Sequence, residues 1–272
     1  MMRQQIEKFL EPMPVVVAHR GDSINHPENT LEAFLSATEM GVDVIETDVH
    51  LSKDGHVVIW HDNTLERTTD GVGRLEDFTL EELKRVDAGF QFTPDGGKTF
   101  PFRGKGVRLA TLDEALEASP KMRFNVDLKS REEGIVDAFE RVVQQHNAEE
   151  RVLCASFHLN HLKAMRQRNN KILTSITTLE VLPLLLKQKL GILPKTLSPE
   201  RTIVFQVPVK QWGIQVITPR FIEAFHERGA VIQVWTINDE EEMRSLLEMG
   251  VDSIMTDNPA AAIKVATELK LR

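Results

Sequence analysis

"VIETDVHLSKDGHVVIWHD", residues 44–62, holds two apolar alternating runs separated by only Lys53, Asp54 and Gly55. A parallel crossover needs about a dozen residues or more, whereas a short turn with a glycine suits a hairpin. The second run therefore folds back on the first. Strand-like runs along the chain are "VVVAH", "VIETDVHLS", "HVVIWHD", "RFNVDLK", "RVLCASF", "KILTSI", "TIVFQVP", "VIQVWTI" and "VDSIMTD". Setting the hairpin's return arm aside leaves eight, most of them followed by an amphipathic stretch, the signature of βαβ units in a parallel sheet. Eight such units predict an α/β fold, a (β/α)8 TIM barrel with a small insertion after the second strand. The competing open, doubly wound sheet usually has fewer strands and a glycine-rich first turn, which is missing here.

Helix starts follow the strands closely. Asn29–Glu32, Thr111–Glu114 and Asn238–Glu241 each pair a capping residue with a carboxylate three positions on, and Thr218-Pro219 adds a cap with proline in the first turn. Residues 62–110 interrupt the rhythm with Gly71, Gly73, Pro94, Gly96, Gly97, Pro101, Gly104 and Gly106, and read as an insertion over the barrel mouth. Its segment "TLEELKRVD" from Thr79 is a capping-box helix. The whole of 1–272 is expected to form a single barrel domain with this insertion. The run "VLPLLLKQKLGILP", residues 181–194, reads as a barrel helix packed on the sheet, with contact to a lipid chain as the other reading.

The composition, 41% hydrophobic and 27% charged over 272 residues, is that of a soluble protein. No segment approaches the ~20 apolar residues of a membrane span. Charged residues scattered through Met1–Pro14 break any signal-peptide core, so the expected compartment is cytoplasmic. Cys154 is the only cysteine, which excludes disulfides and thiolate metal sites and fits a buried strand. A net charge of −8 disfavours nucleic acid as a partner.

The chemistry gathers at strand ends. In a strand, i and i+2 share a face, so Glu46 and Asp48 project together, as do Asn125, Asp127 and Lys129. Adjacent carboxylates repel unless a proton or cation sits between them, and oxygen ligation suits Mg²⁺ or Ca²⁺. His19 and Arg20 close the first strand, and His61-Asp62 ends the hairpin arm. Barrel active sites lie at the C-terminal strand ends, which explains why an apolar strand terminates in an imidazole and a guanidinium. Arg20 and Lys129 beside an acid-bound metal suit a phosphoester. His26, His50, His56, His146, His158, His161 and His226 lack such company and read as surface or loop residues. "GGKT" at Gly96–Thr99 lacks the strand and first glycine of a phosphate-binding loop.

These motifs, "HRG" with "PENT" eight residues behind His19, "ETD", "DGHVVIWHD", "NVDLK", "WTIND" and "DSIMTDNP", resemble the glycerophosphodiester phosphodiesterases from about residue 15 to residue 260, in order and spacing. The resemblance implies a metal-dependent barrel in which Glu46, Asp48 and Asp127 ligate a divalent cation and His19 and His61 form the acid-base pair. Arg20, Lys129 and Trp235 would contact the substrate. Asp127 is one methylene shorter than the glutamate usual there, so it reaches the metal directly or through a water. The implied reaction is hydrolysis of a small-molecule phosphodiester to glycerol 3-phosphate and an alcohol. Lysophospholipase D or sphingomyelinase D-like action on single-chain lipids, with transient lipid contact, is the alternative. A non-catalytic phosphodiester-binding barrel is a third reading, disfavoured by two intact histidines.

Overall fold

The computed structural model describes residues 8–132, 134–198 and 203–272; of the N-terminal stretch read above, residues 1–7 fall outside it. The hairpin of the opening segment is present: β2 (Val44–Leu51) pairs antiparallel with β3 (Val57–Ile59). β2 is also flanked on both sides by parallel strands, β1 (Val15–His19) and β4 (Arg123–Leu128). The sheet continues through β5 (Val152–Ala155) and β6 (Leu173–Thr174) on one side. On the other it runs through β11 (Ser253–Thr256), β10 (Val231–Val234) and β7 (Val204–Val207). A single parallel bridge, Ser175 to Val204, joins the two ends. The result is a nearly closed barrel of eight parallel strands in sequence order, with β3 as the hairpin arm outside it. β8 (Lys210–Gln211) and β9 (Ile214–Gln215) form a separate two-stranded hairpin.

Helices between the strands are α1 (Leu31–Met40), α3 (Leu112–Ala118), α4 (Gly134–Gln145), α5 (Leu159–Arg168), α6 (Thr178–Leu190), α7 (Pro219–His226), α8 (Glu240–Met249) and α9 (Pro259–Glu268). The short α2 (Leu80–Leu83) lies in the insertion and carries the expected Thr79–Glu82 capping box. Two caps differ by one residue from the sequence reading. Thr30, not Asn29, accepts the hydrogen bond from Ala33, and Asp239, not Asn238, the one from Glu242. Both displaced asparagines have their amides engaged elsewhere, as described below.

Strand alternation divides the core in two. Val16, Ala18, Ile45, Phe124 and Val126 face outward into the layer shared with the helices. Val15, Val17, Val44, Leu153, Val204, Val231 and Met255 face inward and fill the lower barrel, sealed from below by Phe9 and Leu10. One step further along the same inward rows the side chains become His19, Glu46, Asp48, Asn125 and Asp127. Cys154 lies fully buried on β5, facing the helix layer as a packing residue. The insertion has a small cluster of its own, in which Trp60, Leu65, Leu75, Leu83, Val107 and Leu109 are buried.

One sequence expectation is corrected. His50 and His161 are buried, not surface or loop residues. His50 follows Glu46 and Asp48 on the same face of β2, beside Glu76 of the insertion, and its Nε2 donates to the His61 carbonyl at 3.1 Å. The 181–194 run packs on the core as a barrel helix through Val181, Leu184 and Leu185, with its other face outward. Within α6 only Val181 is fully buried, while Leu179, Leu182, Leu186 and Leu190 are exposed.

The turn after β1 depends on Gly21. Its φ of +83° lies in the left-handed region, and a Cβ there would stand 2.8 Å from the backbone of Ala33. Gly21→Ala is expected to cost about 2 kcal/mol or more of stability, measurable by urea denaturation, from backbone strain and collision with α1. A change under about 0.5 kcal/mol would show that the turn relaxes freely.

Candidate active site

The barrel mouth encloses a cavity of about 210 Å³ lined by His19, Arg20, Glu46, Asp48, His61, Asp127, Lys129 and Trp235, all eight residues singled out from the sequence. Parallel register brings them together: His19 lies beside Glu46, Glu46 beside Asn125, and Asp48 beside Asp127. No residue of 63–110 lines the cavity among the described residues, so the insertion does not roof it. Arg67 of the insertion reaches only the rim, pairing with Glu28 and Asp62.

Each histidine is held by a carboxylate. His19 Nδ1 donates to Asp257 Oδ1 at 2.6 Å, leaving Nε2 3.8 Å from Glu46. Asn238 donates to the other Asp257 oxygen at 2.7 Å. His61 Nδ1 stands 2.5 Å from Asp62 Oδ1. In both, the carboxylate fixes the ring and directs the second nitrogen elsewhere. Burial works against a charge on His19, but Glu46 and the Asp257 hydrogen bond outweigh it and raise its pKa above the ordinary 6.5.

The acids are not equivalent. Burial, then the charge of Asp48, push Glu46 up to about 8. Burial presses Asp48 in the same direction, yet Lys129 and Arg20 prevail and hold it below the usual carboxylate value. Asp48 accepts from the Asn29 amide at 3.0 Å and is ion-paired with the Lys129 ammonium at 3.0 Å and with Arg20, whose Nε lies 3.3 Å away without hydrogen-bond geometry. Burial raises Asp127 in spite of Lys129, which sits 2.6 Å away. Arg20 is steadied by Glu28 at 2.8 Å.

The donor chemistry fits a hard divalent cation. Glu46 and Asp48 crowd negative charge at one point, and Asn125 Oδ1 and Asp127 Oδ1 are buried with no hydrogen-bond partner. Among the described residues, however, no three Asp, Glu, His or Cys side chains already stand as a closed ligand cluster. The Lys129 ammonium stands between Asp48 and Asp127, at 3.0 and 2.6 Å.

The sequence reading missed Asp257, Asn29, Glu28 and Phe157. Alternation in "DSIMTD" places Asp257 on the inward face with Ser253 and Met255, so the signal for it was present. Asn29 was taken as a helix cap, whereas its amide bridges Asp48 and the Thr47 hydroxyl. Phe157 gives no sequence signal; it lies 5.2 Å under the Lys129 ammonium and edge-on to Trp235.

Residues 19–261 match the model of the glycerophosphoryl diester phosphodiesterase family. The chain belongs to that family. A glycerophosphodiester phosphodiesterase of Caldanaerobacter subterraneus subsp. tengcongensis is 35% identical over 256 residues, covering 92% of this chain and 97% of its own. A phosphodiesterase from Oleispira antarctica, solved in complex with its product sn-glycerol-3-phosphate, superposes with a TM-score of 0.75 at 27% identity, covering 94% of this chain and 97% of that one. The corresponding domain of a Mycobacterium tuberculosis protein shares the fold with a TM-score of 0.81 at 23% identity, covering 92% and 98%. The nearly closed barrel of eight parallel strands is thus shared with these solved structures, and the relatives named as glycerophosphodiester phosphodiesterases are phosphoric diester hydrolases. No helix among the described residues is long and apolar enough to cross a membrane.

Glu46 makes a prediction about stability. With a chelator present throughout, its folded pKa of about 8 exceeds its ordinary 4.5, so above pH 4.5 the unfolded chain releases a proton that the folded protein keeps. Stability is complete below 4.5 and falls as pH rises toward about 8. His19 and Asp127, also raised, act with the same sign. The melting temperature of the wild type should therefore drop across this window, and Glu46→Gln, with no proton to lose, should flatten the drop. An unchanged slope in Glu46→Gln would remove Glu46 as its source.

Proposed function

We propose that this protein hydrolyses glycerophosphodiesters to glycerol 3-phosphate and an alcohol, with Glu46, Asp48 and Asp127 as metal ligands, His19 and His61 as the acid-base pair, and Arg20, Lys129 and Trp235 against the substrate. The observation that carries this reading is the pairing of two carboxylate-held imidazoles with two cations around one cavity. A binding barrel has no use for two such imidazoles. The relative crystallised with sn-glycerol-3-phosphate supports the glycerol phosphate half of the substrate.

The substrate phosphate binds between the Arg20 guanidinium and the Lys129 ammonium, whose charges are already desolvated and cost little further reorganisation as negative charge builds on the phosphoryl oxygens. Mg²⁺ or Ca²⁺, held by Glu46, Asp48 and Asp127 when bound, supplies Lewis-acid polarisation of a phosphoryl oxygen. His19, kept protonated by Glu46 and Asp257, donates its Nε2 proton to the departing alcohol. His61, its Nδ1 committed to Asp62, accepts the proton of the attacking oxygen at Nε2. Asp257 and Asp62 stabilise the charge each ring carries and fix which nitrogen faces the cavity.

Leaving-group chemistry separates the two histidines. On glycerophosphocholine, His19→Ala and His61→Ala should each lower kcat by about 10²-fold or more. On a p-nitrophenyl ester of glycerol phosphate, whose leaving group needs no proton, the His19→Ala loss should shrink to under about tenfold while the His61→Ala loss persists. Equal losses for His19→Ala on both substrates would end its role as donor.

Metal removal tests the acids. Dialysis against EDTA should abolish turnover, and Mg²⁺ or Ca²⁺ should restore it. Asp127→Asn should raise the metal concentration giving half-maximal activity by about tenfold or more, and Asp127→Glu should not. Full activity in excess EDTA would overturn the metal assignment, and an unshifted titration in Asp127→Asn would leave the ion to Glu46 and Asp48. Repeating the titration in Lys129→Met separates ligation from the Asp127–Lys129 ion pair.

A further inference from the structure

Arg67 leaves 47% of its side chain exposed, yet its guanidinium is engaged on every nitrogen. Nη1 and Nη2 donate to the two oxygens of Glu28 at 2.8 and 2.6 Å, and Nε donates to Asp62 Oδ2. Each of those carboxylates has a further contact in the catalytic rim. Glu28 Oε1 accepts from Arg20 Nη1 at 2.8 Å, and Asp62 Oδ1 holds His61 Nδ1 at 2.5 Å. A chain of cations, carboxylates and one imidazole thus runs Arg20, Glu28, Arg67, Asp62, His61. The loop that carries Arg67 is itself fixed. Leu65 is buried in the insertion's own cluster, its amide donates to the Gly73 carbonyl at 3.0 Å, and the Thr69 hydroxyl donates to the Leu65 carbonyl at 2.6 Å. Burial presses Glu28 and Asp62 toward protonation, but Arg67, with Arg20 on one side and His61 on the other, outweighs it and holds both below the usual carboxylate values.

We propose that Arg67 is a positioning residue of the active site: its planar guanidinium holds Asp62 against His61 and Glu28 against Arg20, and so sets the accepting imidazole and the phosphate-binding guanidinium relative to one another. The inference rests on the phosphodiesterase reading and adds a residue to the same site. An exposed ion pair does little for stability, so a three-donor fork at the surface is better explained by what it orients than by what it stabilises. A carboxylate that touches an imidazole through one oxygen can still turn about its terminal torsion, which is broad. The Arg67 bond to the second oxygen of Asp62 removes that freedom, and with it the freedom of the His61 ring. The bidentate grip on Glu28 likewise fixes the plane in which that carboxylate receives Arg20. The insertion, whose described residues leave the cavity unroofed, thereby takes a part in the chemistry from the rim.

With Mg²⁺ or Ca²⁺ present, Arg67→Ala should lower kcat on glycerophosphocholine by about tenfold and raise KM by no more than about threefold, since Arg20 keeps Asp48 as a partner. The p-nitrophenyl ester should show the same kcat loss, because His61 takes its proton whatever the leaving group. Arg67→Lys keeps the charge but not the fork, and should still lose about threefold or more; it stands in should the alanine variant fail to fold. Arg85→Ala, which breaks an exposed ion pair of the insertion with Glu81, should leave turnover within about twofold. In an Asp62→Asn background, adding Arg67→Ala should cost under about twofold more in kcat, whereas a second full tenfold loss would show that Arg67 does not act through Asp62 and overturn the proposal. A readout free of turnover is the nitrogen spectrum of the neutral His61 ring. It should report the Nδ1-protonated tautomer alone in the wild type and a mixture with the Nε2-protonated form in Arg67→Ala. If the wild type hydrolyses no phosphodiester, the functional reading falls and this spectrum alone decides the role of Arg67. If the wild type is active but Arg67→Ala keeps its kcat, or keeps its ring shifts, only the positioning proposal falls.

Discussion

The structure turns on negative charge confined at the top of a parallel barrel. Inward rows that begin with Val15, Val17 and Val44 end with His19, Glu46 and Asp48, and register with β4 adds Asn125 and Asp127 at the same height. Three buried carboxylates in this volume would drive the mouth apart if all were ionised without partners. The protein answers with Lys129 and Arg20, with a proton retained on Glu46, and with hydrogen bonds from Asn29. The charged residues of the rim are each a counter-charge or the holder of one, and Phe157 is a ring set beside Lys129.

The same constraint explains how much was readable beforehand. Period-two alternation and a turn too short for a crossover are local properties, so eight strands, the hairpin and the shared face of Glu46, Asp48, Asn125, Asp127 and Lys129 could be read directly. Identities of partners across the barrel are not local. His19 meets Asp257 across 238 positions of sequence, and nothing in either segment names the other. Asn29 misled for a physical reason, because asparagine before a helix is a favoured cap. Here Thr30 supplies the cap and frees the Asn29 amide for Asp48. His50 misled because burial of an imidazole depends on what the insertion lays over β2, which periodicity does not report.

Family membership is carried by the order and spacing of whole motifs, whereas the electrostatics depend on single atoms. The third buried acid, Asp127, has a short side chain and is gripped by Lys129. A longer side chain would reach further past the ammonium toward Glu46 and Asp48. In the proposed function, release of Asp127 from Lys129 and approach to a cation would be coupled, since a phosphate that drew Lys129 to itself would free the Asp127 carboxylate. Under the proposed reaction, substrate and metal would favour each other's binding through a single ammonium group.

The two sides of the mouth differ in how they are built, and the division of labour follows from that. Between β1, β2 and β4 the strands are long and continuously paired, which suits groups that must hold position to a fraction of an ångström. Between β6 and β7 pairing dwindles to one bridge, and the Ile176 amide donating to Val204 at 3.1 Å is the last backbone bond before the gap. A sheet that barely closes there leaves α6 and the β8–β9 hairpin to wall the opening with side chains instead of backbone. An apolar groove lies along this seam, beside Gln206 on β7 and Thr178 at the start of α6. Residues at the seam can change in size without disturbing the register that aligns the carboxylates. The charged groups thus stand on the tightly paired half of the barrel, and the apolar groove runs along the loosely paired half.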